Sequence, residues 1–144
     1  MSGYNSTLMT GFAQLFEDAS LGMFDTSGVY PEDAVGIFLG MTPDKPDRAL
    51  TIMSYPVEDT DLTNVITGLQ LRFRGSRDPR QVEDLSDAVY DLIHNKSHYQ
   101  VNGIHVELSW RQSGAWMGQD ANQRVERVEN YYMHAERAAP HQIP

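Results

Sequence analysis

Thr67-Gly68-Leu69-Gln70-Leu71-Arg72-Phe73-Arg74, running straight into Gly75-Ser76-Arg77-Asp78-Pro79-Arg80-Gln81, decides how this chain is read. Leu69, Leu71 and Phe73 alternate with Gln70, Arg72 and Arg74, and a period of two marks a strand with one buried face. Gly75 ends it. Asp78 has the short carboxylate that accepts orphan N–H groups of a first helical turn. Pro79 follows at the first helical position, where its missing N–H costs nothing. Gln81 stands where the partner in a capping box would reach back. Val82, Leu85, Ala88, Val89, Leu92 and Ile93 then recur at helical spacing, with Glu83, Asp84, Asp87 and Asp91 across from them. Residues 66–93 are therefore a strand feeding an amphipathic helix. No catalytic motif lies in them, so they read as scaffold.

Upstream, residues 1–5 are expected to be loose. Leu8, Met9, Phe12, Leu15, Phe16 and Ala19 mark a helical face that Gly22 would stop. Residues 23–32 read as a loop, 34–39 as a short strand, and 40–48 as a turn on Pro43 and Pro46. Residues 49–55 give another strand, and 56–64 an acidic loop. Downstream, Asn102-Gly103 is the strongest hairpin signal, because the pair suits the positive φ angles of a type I′ turn. It would pair Val101 with Ile104 and Tyr99 with Val106, with Leu108 and Trp110 continuing that face. Residues 111–123 read as a loop, and 124–134 as a last strand whose inward face the pattern does not settle. The fold expected is α+β: one mainly antiparallel sheet with two helices packed on one face. One domain is expected over residues 1–135, followed by a polar, flexible tail, 136–144.

The 144 residues suit one domain. The chain has no Cys, which excludes disulfides and zinc–thiolate sites and is compatible with a reducing cytoplasm. A formal charge of −9 argues against nonspecific nucleic-acid binding, which needs clustered cations. Neither a signal peptide nor a membrane span is expected.

Catalytic readings fare poorly. His94, His98, His105, His134 and His141 do not gather into a ligand set from folded elements. The carboxylates Glu58, Asp59 and Asp61, and those of the helix, fall on solvated surfaces. Gly36-Ile37-Phe38-Leu39-Gly40 lacks the Lys-Ser/Thr of a phosphate loop. Arg72, Arg74, Arg77 and Arg80 cluster at one strand end and read as a solvated or subunit-facing patch. Trp110 is assigned to the core, Trp116 and Met117 to an interface. The expectation is a protein with no catalytic residues, cofactor or metal.

Three stretches carry a resemblance. Ile37-Phe38-Leu39-Gly40-Met41-Thr42-Pro43-Asp44-Lys45-Pro46-Asp47 is similar to a segment near the start of the minor capsid proteins that serve tailed bacteriophages as tail terminators. Residues 69–73, the helix after them, and the hairpin around Asn102-Gly103 resemble that family's middle. Gly118-Gln119-Asp120-Ala121-Asn122-Gln123-Arg124 resembles its loop before the last strand, with Gln123 in place of a glycine and Arg127 in place of an apolar residue. The resemblance implies a structural virion protein of the phage neck, assembled in the host cytoplasm. It implies a homo-oligomeric, six-fold ring that caps the tail tube, ends its polymerisation and meets the head connector. Its partners would be other copies of itself, the major tail tube protein and the connector or stopper, with DNA passing through unbound. On that reading Arg72, Arg74, Arg77, Arg80, Trp116, Met117 and Asp120 are candidate subunit or tube contacts. Glu58, Asp59 and Asp61 are candidates to face the bore, where like charge would repel the duplex. The alternatives are another neck component, signalled by a dominant helical hairpin, and a small ligand-binding α+β domain, signalled by convergent His, Asp and Glu.

Overall fold

The structure, a computed structural model, describes residues 3–144. Two helices and six strands follow in the order α1 (Tyr4–Asp18), β1 (Gly36–Leu39), β2 (Ala49–Glu58), β3 (Asn64–Arg74), α2 (Pro79–Ile93), β4 (Lys96–Val101), β5 (Ile104–Gln119) and β6 (Val125–Glu136). The fold is α+β, with one sheet of order β1-β2-β3-β6-β5-β4.

The sheet is mixed, where a mainly antiparallel one was expected. β1 runs parallel to β2, with Gly36 opposite Ala49 and Leu39 opposite Ile52. Alternation within a strand carries no information on its neighbour's direction. Here the 40–48 loop is long enough to carry the chain back to the starting end of β1, which a tight hairpin cannot do. The other pairings are antiparallel, and β3 with β6 form the uninterrupted centre from Asn64 opposite Glu136 to Arg74 opposite Glu126.

The strand and helix of residues 66–93 form for the reasons their sequence suggests. Leu69, Leu71 and Phe73 are buried. Asp78 caps α2, its Oδ1 accepting the Arg80 N–H at 3.0 Å. Gln81 reaches back past the cap, and its Oε1 accepts the Ser76 N–H at 3.0 Å. Leu8, Phe12 and Phe16 of α1, with Val82, Val89 and Ile93 of α2, join Leu69, Leu71 and Phe73 of β3 and Val125, Tyr131, Met133 and Ala135 of β6 in a single apolar cluster. Each such side chain, once fully buried, contributes roughly 1.5–3 kcal/mol.

Helix α1 starts at Tyr4, within the segment expected to be loose; Met1 and Ser2 lie outside the described residues. It ends at Asp18, and Ser20, with φ 63°, takes the left-handed turn expected of Gly22. Gly11 sits where α1 crosses the hairpin: a Cβ there would lie 2.5 Å from Val101 Cγ1. The hairpin itself pairs as read, Val101 with Ile104 and Tyr99 with Val106, and Asn102 and Gly103 have φ 49° and 84°.

Beyond Val106 the face inverts. The pairing shifts between Val106 and Leu108, so Ser109 turns inward and is fully buried. Its Oγ donates to the Ile93 carbonyl at 2.6 Å and lies 2.7 Å from the Tyr99 hydroxyl. Trp110 therefore leaves the core and packs on the opposite face, 5.4 Å from the His134 ring and 6.1 Å from that of Tyr132. Residues 111–119, read as a loop, are instead the second half of β5, which pairs with β6 through two further shifts. Pro56, Val57 and Glu58, likewise assigned to a loop, continue β2. Pro56 is tolerated because β1 covers β2 only to Ile52, leaving an edge there.

Of residues 136–144, expected as a flexible tail, Glu136 ends β6 and 137–144 fold back on the 61–63 segment. The Arg137 N–H donates to the Thr63 carbonyl at 2.8 Å, Thr63 N–H to Ile143 at 3.0 Å, and Ile143 N–H to Asp61 at 2.7 Å. Arg137 also lies over the Tyr4 ring, 4.7 Å from its centre. Among the described residues, no helix is long and apolar enough to cross a membrane.

Candidate assembly surfaces

Two loops meet at the end of the sheet where β3 finishes and β6 begins. The 40–48 loop is held there by two nearly buried arginines. Arg74 donates from Nε to the Asp47 carbonyl at 2.7 Å and from Nη2 to the carbonyls of Pro43 and Pro46, each at 2.8 Å. Burial, then the charge of Arg124, push its guanidinium below the usual arginine range, against the pull of Asp120, Glu126 and Asp44. Arg124 pairs with three carboxylates: Asp120 at 2.8 Å, Asp44 at 3.1 Å and Asp47 at 3.2 Å. A fixed fork of donors suits such convergence better than an ammonium would.

The carboxylates are tuned accordingly. Burial acts to raise Asp120, but the backbone N–H and guanidinium of Arg124 outweigh it and hold the carboxyl below its usual range. Asp120 Oδ1 also accepts the Asn122 N–H at 2.9 Å, which closes the 120–124 turn. Gln123 sits in that turn at φ 63°, the left-handed position that favours glycine. A hydrogen bond from Lys45 holds Asp47 low. Between these loops and Ser76–Arg77 opens a cleft of 630 Å³.

A second charged group ties α2 to the sheet. Glu129 is 0% exposed. Its Oε1 accepts the Ser86 hydroxyl at 2.6 Å. Its Oε2 takes Arg127 Nη2 at 3.2 Å and Arg111 Nη1 at 3.3 Å. Arg127 reaches on to Glu83 at 3.4 Å. A Cβ at residue 114 would overlap Glu129 Oε2, so Gly114 leaves room for the carboxylate. Arg127 thus stands in a strand position where its guanidinium donates to the buried carboxyl of Glu129 beside it. Tyr131, next on this face, is fully buried with no partner for its hydroxyl. Burial and then the Glu129 charge push its pKa well up.

The candidate contacts do not form one patch. Arg74 is buried under the 40–48 loop, because four carbonyls in reach replace its water. Asp120 is committed to Arg124. Arg72 and Arg77 are exposed, and Arg80 turns back on Asp78 at 2.9 Å. Trp116 and Met117 are 50% and 53% exposed on β5. Glu58 ends β2, and Asp59 and Asp61 follow it in the β2–β3 loop at the opposite end of the sheet, all exposed. Sequence reasoning passed over Arg124, Asp44 and Asp47 as a group, although all three lie within stretches quoted for the resemblance. Glu129, Ser86 and Arg111 gave no local signal. Among the described residues, no three His, Asp or Glu side chains stand ready to hold a metal ion.

The chain is thus an α+β domain with one end locked by ion pairs and two strips of strand edge left open. The sequence matches the bacteriophage tail terminator protein family over residues 17–137, and the chain belongs to that family. The match spans every element except most of α1. Among solved structures, the fold is similar to a chain of the native gene transfer agent virion particle. The TM-score is 0.64 at 10% identity, over 92% of this chain and 96% of that one. No curated protein matches the sequence.

Proposed function

We propose that copies of this chain close into a ring at the head-proximal end of the tail tube, stop its growth and join the tail to the head connector. The observation that carries this reading is the family match over residues 17–137. It is supported by where two of the resembling stretches lie. The 37–47 and 118–124 segments, far apart in sequence, are bound to each other through Arg124. That makes a preorganised end, suited to seating on a repeating partner such as the tube. The likeness in fold to a chain from a virion particle agrees with a place in such a particle.

Arg72, Arg77, Trp116 and Met117 supply outward contacts to a neighbouring copy or the tube. Arg80, exposed and paired with Asp78, adds to that outward set, while Arg74 and Asp120 hold the 40–48 and 120–124 loops in shape. Glu58, Asp59 and Asp61 face the bore, where carboxylates keep the passing duplex from adhering. The helical hairpin expected of another neck component does not occur among the described residues: three strands separate α1 from α2.

Native mass spectrometry of the purified protein, alone and with tail tubes, tests the ring, and DNA retention at low salt tests its bore. The expected results are a closed oligomer that lets duplex DNA go, and retention once Glu58, Asp59 and Asp61 are changed together to Lys. Tight, salt-sensitive DNA binding by the unaltered ring would overturn the assignment of the bore.

A further inference from the structure

Two strips of strand edge lie open on opposite sides of the sheet. β4 covers β5 only as far as Ser109, and β1 covers β2 only as far as Ile52. Past Ser109, His94 Nδ1 accepts the Arg111 N–H at 3.1 Å. From there to Gln119 no other strand among the described residues pairs with that side of β5. Residues 112–117 are exposed one after another, with Trp116 and Met117 among them.

An open edge normally carries charge or proline, because unpaired N–H and C=O groups invite another strand. Residues 112–119 contain neither. The β2 strip, residues 53–57, has no charge either, but it has Pro56. Arg48 and Ile52 turn their carbonyls toward β1, so by alternation Pro56 lies with its nitrogen on the open side. It withdraws one donor, so two such strips facing each other would lose two ladder bonds, whereas a proline-free partner strand loses one. Met53 and Val57 stand exposed on it, and the Met53 side chain extends toward Gly40, beside the exposed Met41.

We propose that residues 112–119 of one copy are covered by the 53–57 strip of the next copy. This rests on the ring reading and names the surfaces that close it. Copies that each carry −9 repel across most of their surface, α2 with Glu83, Asp84, Asp87 and Asp91 above all. Two uncharged strips can meet without that cost. The strips differ from each other and lie on opposite edges, as a heterologous contact that closes by rotation requires. Strand direction also fits: β2, β3, β6 and β5 alternate, so β5 runs opposite to β2. A rotation about an axis along the strands preserves that relation and brings the two edges together antiparallel. Tyr55 stands level with Trp110 through Gly68 and Tyr132, so Trp116 lies about six residues further along. A tilted, closing sheet accumulates about one residue of offset per strand, about four over β2, β3, β6 and β5, which sets Tyr55 near Gly114, within the 112–119 strip.

The chain has no cysteine, so engineered pairs report cleanly. Met53→Cys with Met117→Cys in one chain, both sites being exposed, is oxidised after assembly and run on a non-reducing denaturing gel. The expected result is a ladder of covalent oligomers up to the ring's size, while each single variant stays monomeric. Intact rings by native mass spectrometry that give no ladder would overturn the contact and leave the ring standing. Covalent dimers from Met117→Cys alone would overturn it in favour of a two-fold β5 pairing. A protein that stays monomeric with and without tubes contradicts the ring, and this contact with it. Separately, Trp116→Lys should lower the assembled fraction at least about tenfold with an unchanged melting temperature. Assembly as in the parent protein would overturn the proposal.

Discussion

The two ends of the sheet are held in different ways. At one end, Arg74 and Arg124 bind the 40–48 and 120–124 loops through charged donors, and their guanidinium groups are largely shielded from water. At the other, the acidic 59–63 loop and the 137–144 segment are joined by main-chain bonds on an exposed surface. Arginine clamps keep a loop in one shape because several acceptors must be released together before it can move. A few exposed main-chain bonds open singly, so that end belongs to the low-stability part of the molecule. The difference separates an end shaped before any partner arrives from one that can rearrange on a partner.

Removing a clamp breaks the comparison most severely. Arg74→Met leaves the carbonyls of Pro43, Pro46 and Asp47 without their donor and should cost about 3 kcal/mol in chemical denaturation. Arg124→Met should cost about 2 kcal/mol, less because Asp44 and Asp47 can turn to water. In either variant, amide exchange should speed up in residues 40–48 while the 59–63 loop stays as it was. A next effect comes from the hairpin: Gly103→Val forces a branched residue into φ 84° and should cost more than about 1 kcal/mol, read as a fall in melting temperature.

Acid tests the same clamp from the carboxylate side. Asp120 and Asp47 are held below their usual range in the fold. Their stabilisation is complete above the unfolded-state pKa of about 4 and is lost as pH falls through the depressed folded value. Melting temperature should therefore drop as pH falls below about 4, and Asp120→Asn should flatten part of that drop. The smallest expected effect is a gain: Gln123→Gly relieves a left-handed φ of 63° and should stabilise by about 0.5 kcal/mol.

What could be read from the sequence follows the range of the interactions. β3, α2 and the Asn102-Gly103 hairpin were legible because alternation, an Asp-Pro cap and a turn dipeptide act within a few residues. The second half of β5 was not. Gln112, Ser113, Gly114 and Gly118 have the composition of a loop, and the segment is a strand because β6 pairs with it. Two bulges there also erase the alternation that would have marked it. The direction of β1 depends on where the 40–48 loop returns, which its own residues do not state. Arg74 alternates correctly with Phe73 and was read as surface; its carbonyl partners lie in a loop before β2. The inward face of the last strand stayed open in the sequence, because Glu129 lies on it and its partners Arg127, Arg111 and Ser86 are brought to it by pairing and packing. For the site, the segments were legible and the ion pairs that join them were not.

Electron microscopy of tail tubes polymerised with and without the purified protein tests the central claim most directly. The account predicts tubes that stop growing, each bearing one ring of this protein at one end. Tubes that lengthen unchanged with bare ends in excess protein would contradict it.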